Sequence, residues 1–240
     1  MFLIDKEIKK RNLPEHIRKH LTFLSPFEMK FCIAVSTFLL LDFCMIVPLL
    51  LAWDVKYVSV ILPLIVIMNI WCIFLLCKNV YTIQFSTIRF LAVLGIVGCF
   101  CFFVLTQKMA YNLLMLEGPL FLLISILLLL SFILVILRYY FKKFSSIHVK
   151  WKEKETSKYS ILYVGMSMAT IIFLVYFLAK RFEIIYGLFL LGIFNIFVVA
   201  FAYIGIKFTH KYFFMKFNQH VLHYGRPYKK DKKNKNIEVR

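Results

Sequence analysis

Acidic residues are scarce in this 240-residue chain, which has 12 Asp and Glu against 30 Lys and Arg and a net charge of +18. Its long apolar runs contain a single acid, Asp42. This excludes two classes of membrane enzyme: alcohol phosphatidyltransferases, which need clusters of Asp, and membrane prenyl proteases, which need paired glutamates. Only eight glycines are present, with no phosphate-binding loop, and no G-x-S-x-G turn occurs. We therefore expect no catalytic residues and a protein that is not an enzyme.

Cysteine and histidine also lack the spacing of metal ligands. The six cysteines include no C-x-x-C pair, and the six histidines include no adjacent pair of the kind found in membrane di-iron oxygenases. We expect packing thiols, and solvated histidines at the membrane interface for the pairs His16/His20 and His220/His223. The sequence predicts no metal and no cofactor.

Hydrophobic residues are abundant instead, at 62% of the chain with 27 Phe. A soluble fold of this size has too little interior for so much apolar surface, so most of it must face lipid. Backbone polar groups in lipid must bond within their segment, and no run alternates like a barrel strand. Each run reaches the roughly 20 residues that a helix needs to cross the bilayer. The sequence predicts an all-α integral membrane protein with six transmembrane helices, at 31–53, 57–77, 87–106, 119–141, 159–180 and 184–206.

Residues 1–30 precede the first span and form a predicted cytoplasmic, interfacial head. Leu13, Ile17, Leu21 and Leu24 recur at helical spacing, which is typical of an amphipathic helix in the plane of the membrane. Binding to a partner protein is the alternative. Ser25-Pro26-Phe27-Glu28 has the pattern of a capping box, so the first membrane helix should begin there.

Two further basic segments are predicted on the cytoplasmic side. The loop 142–158 is basic and has too little apolar material for a domain. In the tail, 207–240, the sixth helix is expected to continue as a juxtamembrane helix before a disordered end. Five lysines there predict contact with anionic lipid, or alternatively with a protein partner: Lys229, Lys230, Lys232, Lys233 and Lys235. The positive charge is explained in this way, and no nucleic-acid partner is predicted.

Every predicted span carries a small or hydrogen-bonding residue near its middle. Gly95 and Gly98 flank the middle of the third span, where small side chains allow helices to approach closely. The other five spans place one polar residue each in a predicted midplane layer, expected to form interhelical contacts or a binding or coupling site: Asp42, Asn69, Ser131, Thr170 and Asn195.

Asp42 is the sharpest candidate in this layer, because a charged carboxylate is costly at the bilayer centre and acids there are usually functional. No Lys or Arg lies at the same depth, so its available partners are Asn69 and Asn195. Desolvation favours the protonated form, which donates a hydrogen bond. A proton- or cation-coupled role and a structural hydrogen bond both remain open.

Three classes of membrane protein fit these features. The first is an interaction protein of the immunity, secretion-accessory or assembly type, which binds another membrane protein. The second is a permease subunit of an export transporter of the ABC type, although residues 78–86 are short for a coupling helix. The third is a proton- or cation-coupled transporter or channel centred on Asp42. Few midplane charges and no broken helix of the substrate-binding kind favour the first class.

The charge distribution predicts the orientation of the chain. With both termini in the cytoplasm, 26 Lys and Arg flank the spans on the inner side and 4 on the outer side. Reporter fusions at residue 240 and within 138–158 should therefore read cytoplasmic, and a fusion after residue 53 should read external. An external reading at residue 240 would contradict this topology.

Overall fold

Helices and short turns and loops make up the described part of the chain. The computed structural model describes Ile4 and residues 13–23, 25–51, 54–79, 82–112, 114–116, 118–145 and 183–222, and it contains no strand among them. Five helical stretches there are long and apolar enough to cross a membrane: Phe27–Ile46, Val55–Cys77, Gln84–Asn112, Leu120–Lys143 and Gly187–Phe217. They correspond to five of the six predicted spans. The remaining predicted span, 159–180, lies outside the described residues.

Seven α-helices make up these stretches and the segment before them. They are α1 (Glu15–His20), α2 (Pro26–Ala34), α3 (Cys44–Leu51), α4 (Val55–Cys77), α5 (Gln84–Asn112), α6 (Leu120–Lys143) and α7 (Glu183–Phe217). A π-helical segment, Val35–Phe43, joins α2 to α3, and a short 3₁₀ turn, Gln219–Val221, follows α7.

The predicted capping box starts the first membrane helix. The Ser25 hydroxyl accepts a hydrogen bond from the Glu28 backbone N–H at 3.3 Å, and the Ser25 N–H donates to the Glu28 carboxylate at 2.9 Å. Two backbone donors that would be unpaired at the start of a helix are thereby satisfied. This prediction is confirmed, with Pro26 as the first residue of α2.

Helices α5 and α7 are longer than their predicted spans. Helix α7 continues to Phe217, as expected for the sixth helix. Helix α5 continues to Asn112 rather than ending at 106, so Lys108, one of the four basic residues predicted on the outer side, lies within the helix and not in a loop. Lys108 is fully buried, and its ammonium donates to the Leu49 carbonyl at 3.0 Å. A hydropathy pattern does not reveal that a neighbouring helix supplies this acceptor.

Contacts between helix ends define the two ends of the bundle. Lys30 in α2 donates to the Leu76 carbonyl near the end of α4 at 2.9 Å, so these helices are antiparallel. At the opposite end, Asn112 of α5 donates to Asp54, which precedes α4, at 3.3 Å. We call the end that contains Lys30 and the last residues of α4, α6 and α7 the head end. We call the other the far end.

Helices α5 and α7 pack with their backbones in direct contact. Gly95 faces Gly205, so a Cβ added to Gly95 would overlap the Gly205 backbone and lie 2.9 Å from the Phe201 carbonyl oxygen. The Phe201 ring covers Gly98 in the same way. Phe102 stacks on Phe201, with ring centroids 5.3 Å apart. The close approach expected at Gly95 and Gly98 is confirmed, and α5 is the most enclosed of the five candidate spans.

The head segment, which we define as residues 13–23 around α1, packs on the head end. The apolar side expected to face lipid is instead buried in the protein, with Leu13, Ile17 and Leu21 at most 5% exposed in a cluster with Phe144 of α6 and Phe214 of α7. Leu24 lies outside the described residues. Because aromatic rings at the ends of α6 and α7 form a ready apolar surface, protein contacts replace lipid contacts on this side of α1.

The glycine contact between α5 and α7 predicts an asymmetric effect of two similar substitutions. Gly95→Ala should lower the free energy of unfolding by about 1–3 kcal/mol, because the added methyl forces the two backbones apart. Gly192→Ala should change it by less than about 0.5 kcal/mol, since nothing lies within 4 Å of a Cβ at Gly192. Thermal unfolding of both variants in the same mild detergent measures the difference. Equal melting temperatures would contradict the contact.

Candidate functional site around Asp42

Asp42 lies in the π-helical segment Val35–Phe43 that interrupts the first membrane helix. Such segments are rare, cost regular hydrogen bonding and occur frequently at functional sites. The Thr37 hydroxyl, which is fully buried, donates to the Ile33 carbonyl at 2.9 Å. A hydroxyl bonded to the preceding turn in this way tends to bend a helix. No local feature of residues 35–43 predicts the π-helical geometry.

Asn69 of α4 binds Asp42 directly. Its amide nitrogen donates to the Asp42 carboxyl oxygen Oδ1 at 3.0 Å and to the Ile65 carbonyl of its own helix at 3.1 Å. Both amide hydrogens are therefore used, and the Asn69 carbonyl oxygen is left as an acceptor. A protonated Asp42 can donate to that oxygen, whereas an ionised one cannot. Of the two amides expected as partners, Asn69 is the one that the described contacts join to Asp42.

The other midplane residues are not brought to this pair by the described contacts. Asn195 is exposed, and its amide donates to the Leu191 carbonyl of its own helix at 2.8 Å. Ser131 is exposed as well, and its hydroxyl donates to the Leu128 carbonyl at 2.7 Å. Each donates one hydrogen bond within its own helix, and no hydrogen bond joins either residue to another helix among the described residues. Thr170 lies outside the described residues, as do the five lysines at 229–235.

A second set of polar contacts, formed by Asp54, Asn112 and Lys108 at the far end, was not predicted from the sequence. Asp54 caps α4 by accepting the Lys56 backbone N–H at 3.0 Å, and its second oxygen accepts from Asn112. Lys108 lies in the same region, on the Leu49 carbonyl. That carbonyl belongs to the last turn of α3 and has no partner within its helix, so a cation there satisfies it and complements the helix dipole. These contacts join the ends of α3 and α5 to the start of α4.

An apolar groove with a volume of about 600 Å³ opens beside the first membrane helix and α7. Leu40 of the π-helical segment lines it, and the other lining residues all belong to α7: Leu188, Phe189, Gly192, Ile193, Ile196, Phe197, Ala200, Phe201 and Ile204. No hydrogen-bonding side chain is among them. The groove suits an apolar occupant and offers no group that could orient a polar substrate.

Of the histidines expected to be solvated, His16 and His20 are buried, His220 is exposed, and His223 lies outside the described residues. His16 is 4% exposed and His20 is 9% exposed, and the ring of His20 meets that of His210 in α7 with 3.1 Å between Nε2 and Nδ1. Burial, followed by the positive charges of neighbouring groups, lowers the pKa of His20 to about 2. His210 lies 190 positions from His20, so no local pattern in the sequence predicts this contact.

The pair of Asp42 and Asn69 predicts a measurable coupling energy between α4 and the π-helical segment. Asp42→Leu should destabilise the protein by about 0.6–2 kcal/mol, the range for one interhelical hydrogen bond in a membrane. Asn69→Leu should cost a similar amount, and the double variant should cost less than the sum of the two. Thermal unfolding in detergent provides all three values. Asn195→Leu is the matched control, and additivity of the Asp42 and Asn69 variants would show that the bond contributes nothing.

The described residues contain no group of three or more His, Cys, Asp or Glu side chains arranged to hold a metal ion. Comparisons with protein families, with curated proteins and with solved structures find no match to this chain. The chemistry of its surfaces is therefore the basis on which its function can be argued.

Proposed function

We propose that this chain is a multi-pass protein of the plasma membrane that acts by binding another membrane protein within the bilayer, and that it is not an enzyme. An immunity, secretion-accessory or assembly role is of this type. The observation that carries the proposal is the apolar groove along α7. Its partner is an apolar transmembrane helix, because each lining side chain is apolar and a helix satisfies its own backbone groups.

The dimensions of the groove support a helix as its occupant. Leu188 and Ile204 lie about 24 Å apart along α7 at helical rise, so the groove follows most of a membrane-spanning length. Gly192 and Ala200 leave little side-chain bulk on this side of α7, and no described residue lies within 4 Å of a Cβ placed at Gly192. Small residues allow two helix backbones to approach and gain van der Waals contact, which is the main source of helix association in lipid.

Asp42 supports a structural role better than a coupled-transport role. Its partner is the neutral amide of Asn69, and no described Lys or Arg is hydrogen-bonded to it. It also does not line the groove. The alternative functions, a permease subunit or a proton- or cation-coupled transporter or channel centred on Asp42, draw support from the π-helical segment that carries this acid.

We also propose six membrane crossings with both termini in the cytoplasm. Helices α6 and α7 run in the same direction, because Tyr140 lies near Tyr203 and Phe144 lies near Phe214, with ring centroids 6.1 and 5.7 Å apart. Consecutive crossings of one chain alternate in direction, so two parallel helices require another crossing between them. The charge excess places the head end in the cytoplasm, where the basic tail would contact anionic lipid.

Filling the groove tests the interaction role. Gly192→Trp places a large side chain in the groove, so it should abolish the ability of the gene to complement its own deletion phenotype. The melting temperature in detergent should change little, because the glycine faces open space. Ile70→Trp is the control, since Ile70 is 64% exposed on α4 and does not line the groove. A folded and fully active Gly192→Trp variant would overturn the proposal.

The same complementation assay separates the coupled-transport alternative. Asp42→Asn retains a hydrogen-bonding group of nearly the same shape and cannot ionise. For an interaction protein this variant should fold and remain active. A folded but inactive Asp42→Asn variant would favour transport or proton coupling and reject our proposal. Photo-crosslinkers at Ile196 add a direct readout, since a crosslink to residues 159–180 of the same chain would show that the groove is filled internally.

A further inference from the structure

Two hydrogen bonds of different kinds attach the head segment to the head end of the bundle, and a third attaches Ile4 beside it. His20 bonds to His210 through their ring nitrogens, Lys211 donates to the Thr22 carbonyl at 2.8 Å, and nearby the Ile4 N–H donates to the Asn218 side chain at 2.8 Å. The apolar side of α1 adds buried contacts with α6 and α7. Among these attachments, the histidine contact is the one whose charge changes near neutral pH.

Aromatic rings enclose the two imidazoles. The Phe144 ring lies 4.3 Å from that of His20 and 4.9 Å from that of His210, and Phe214 and Tyr140 lie within 6 Å of one or both. With both imidazoles neutral, one ring donates and the other accepts across the 3.1 Å contact. One added proton places a positive charge in this apolar cluster. A second added proton puts a hydrogen on both facing nitrogens and removes the bond.

Among the described residues, no negative charge near His20 offsets an added proton. The groups that face His20 are His16 on its own helix, Lys143 on α6, and Lys207, His210 and Lys211 on α7, while Tyr140 of α6 lies against His210. Three of them are lysines. Glu15, the acid of α1, is exposed and bonded to Lys19 at 3.0 Å, and it is not among the groups that act on His20.

We propose that the contact between His20 and His210 is a pH-sensitive switch that holds the head segment on the bundle while both imidazoles are neutral and releases it on acidification. Release exposes the apolar side of α1 and the aromatic surface formed by Tyr140, Phe144 and Phe214. The switch acts at the head end and is independent of the groove on α7.

The direction of the pH effect follows from linkage. The docked state lowers the pKa of His20 from 6.5 to about 2, so the docked state binds fewer protons than the released state below pH 6.5. Docking is therefore unaffected above this pH and weakens as the pH falls through it. Between pH 7.5 and 5.5 the docking equilibrium should weaken about tenfold for one histidine, and more if His210 also takes up a proton on release.

Hydrogen exchange of the full-length protein in lipid nanodiscs tests the switch. Protection of the backbone amides of residues 13–23, corrected for intrinsic exchange rates, should fall about tenfold from pH 7.5 to 5.5. His20→Gln cannot take up a proton and should lose most of this response. His220→Gln is the control, because His220 is exposed in the 3₁₀ turn, and its response should equal that of the unaltered protein.

Two outcomes would overturn the switch. The first is unchanged protection of the unaltered protein between pH 7.5 and 5.5. The second is a response in His20→Gln equal to that of the unaltered protein. If the glutamine variant is released at both pH values, His20→Phe, whose ring suits the aromatic cluster, serves in its place. If the His20→Phe variant is also released, the pH response of the unaltered protein is compared with that of His210→Gln, and equal responses would overturn the switch.

Discussion

The contact between Gly95 and Gly205 is the constraint on which the described bundle depends. It lets the backbones of α5 and α7 meet, and the rings of Phe201 and Phe102 then fill the space beside it. Within lipid, apolar side chains gain no hydrophobic free energy by moving into the protein interior. Close packing of this kind must therefore hold the helices together. Helix α5 is enclosed as a result, while α6 presents its apolar surface outward. Glycine is rare in this chain, and Gly95, Gly98 and Gly205 lie where α5 and α7 meet.

Several lysines of this chain bind backbone carbonyls, where lysines in most proteins bind carboxylates. With 12 acidic residues against 30 basic ones, most cations have no carboxylate to bind. Lys30, Lys108 and Lys211 instead donate to the carbonyls of Leu76, Leu49 and Thr22, each at or just beyond the end of a helix. The carbonyls of Leu76 and Leu49 belong to the last turns of α4 and α3, where carbonyls lack intrahelical partners and carry the negative end of the helix dipole, and Thr22 follows the end of α1. A basic chain can thus connect its helices without ion pairs.

Sequence patterns predicted what depends on neighbours along the chain. Apolar runs located five spans, the Ser25 cap located the first helix start, and matched depth located the pair of Asp42 and Asn69. Contacts between distant segments were not predictable. The end of α5 was misplaced because its acceptor for Lys108 belongs to another helix, and the burial of His20 depends on a histidine 190 positions away. The π-helical geometry around Asp42 has no sequence signature that we recognise.

Helix α7 connects the features on which both proposals rest. Gly205 fixes it to α5, residues from Leu188 to Ile204 line the groove, and His210 receives the head segment. A change at the head end reaches the groove only if it alters the position of α7. The backbone contact at Gly205 opposes such a shift, because glycine leaves no flexible side chain between the helices. Coupling between the two sites therefore requires the head segment to bind two positions of α7 with different affinity. Without that difference, pH would change the exposed surface of the head end and leave the groove as it is.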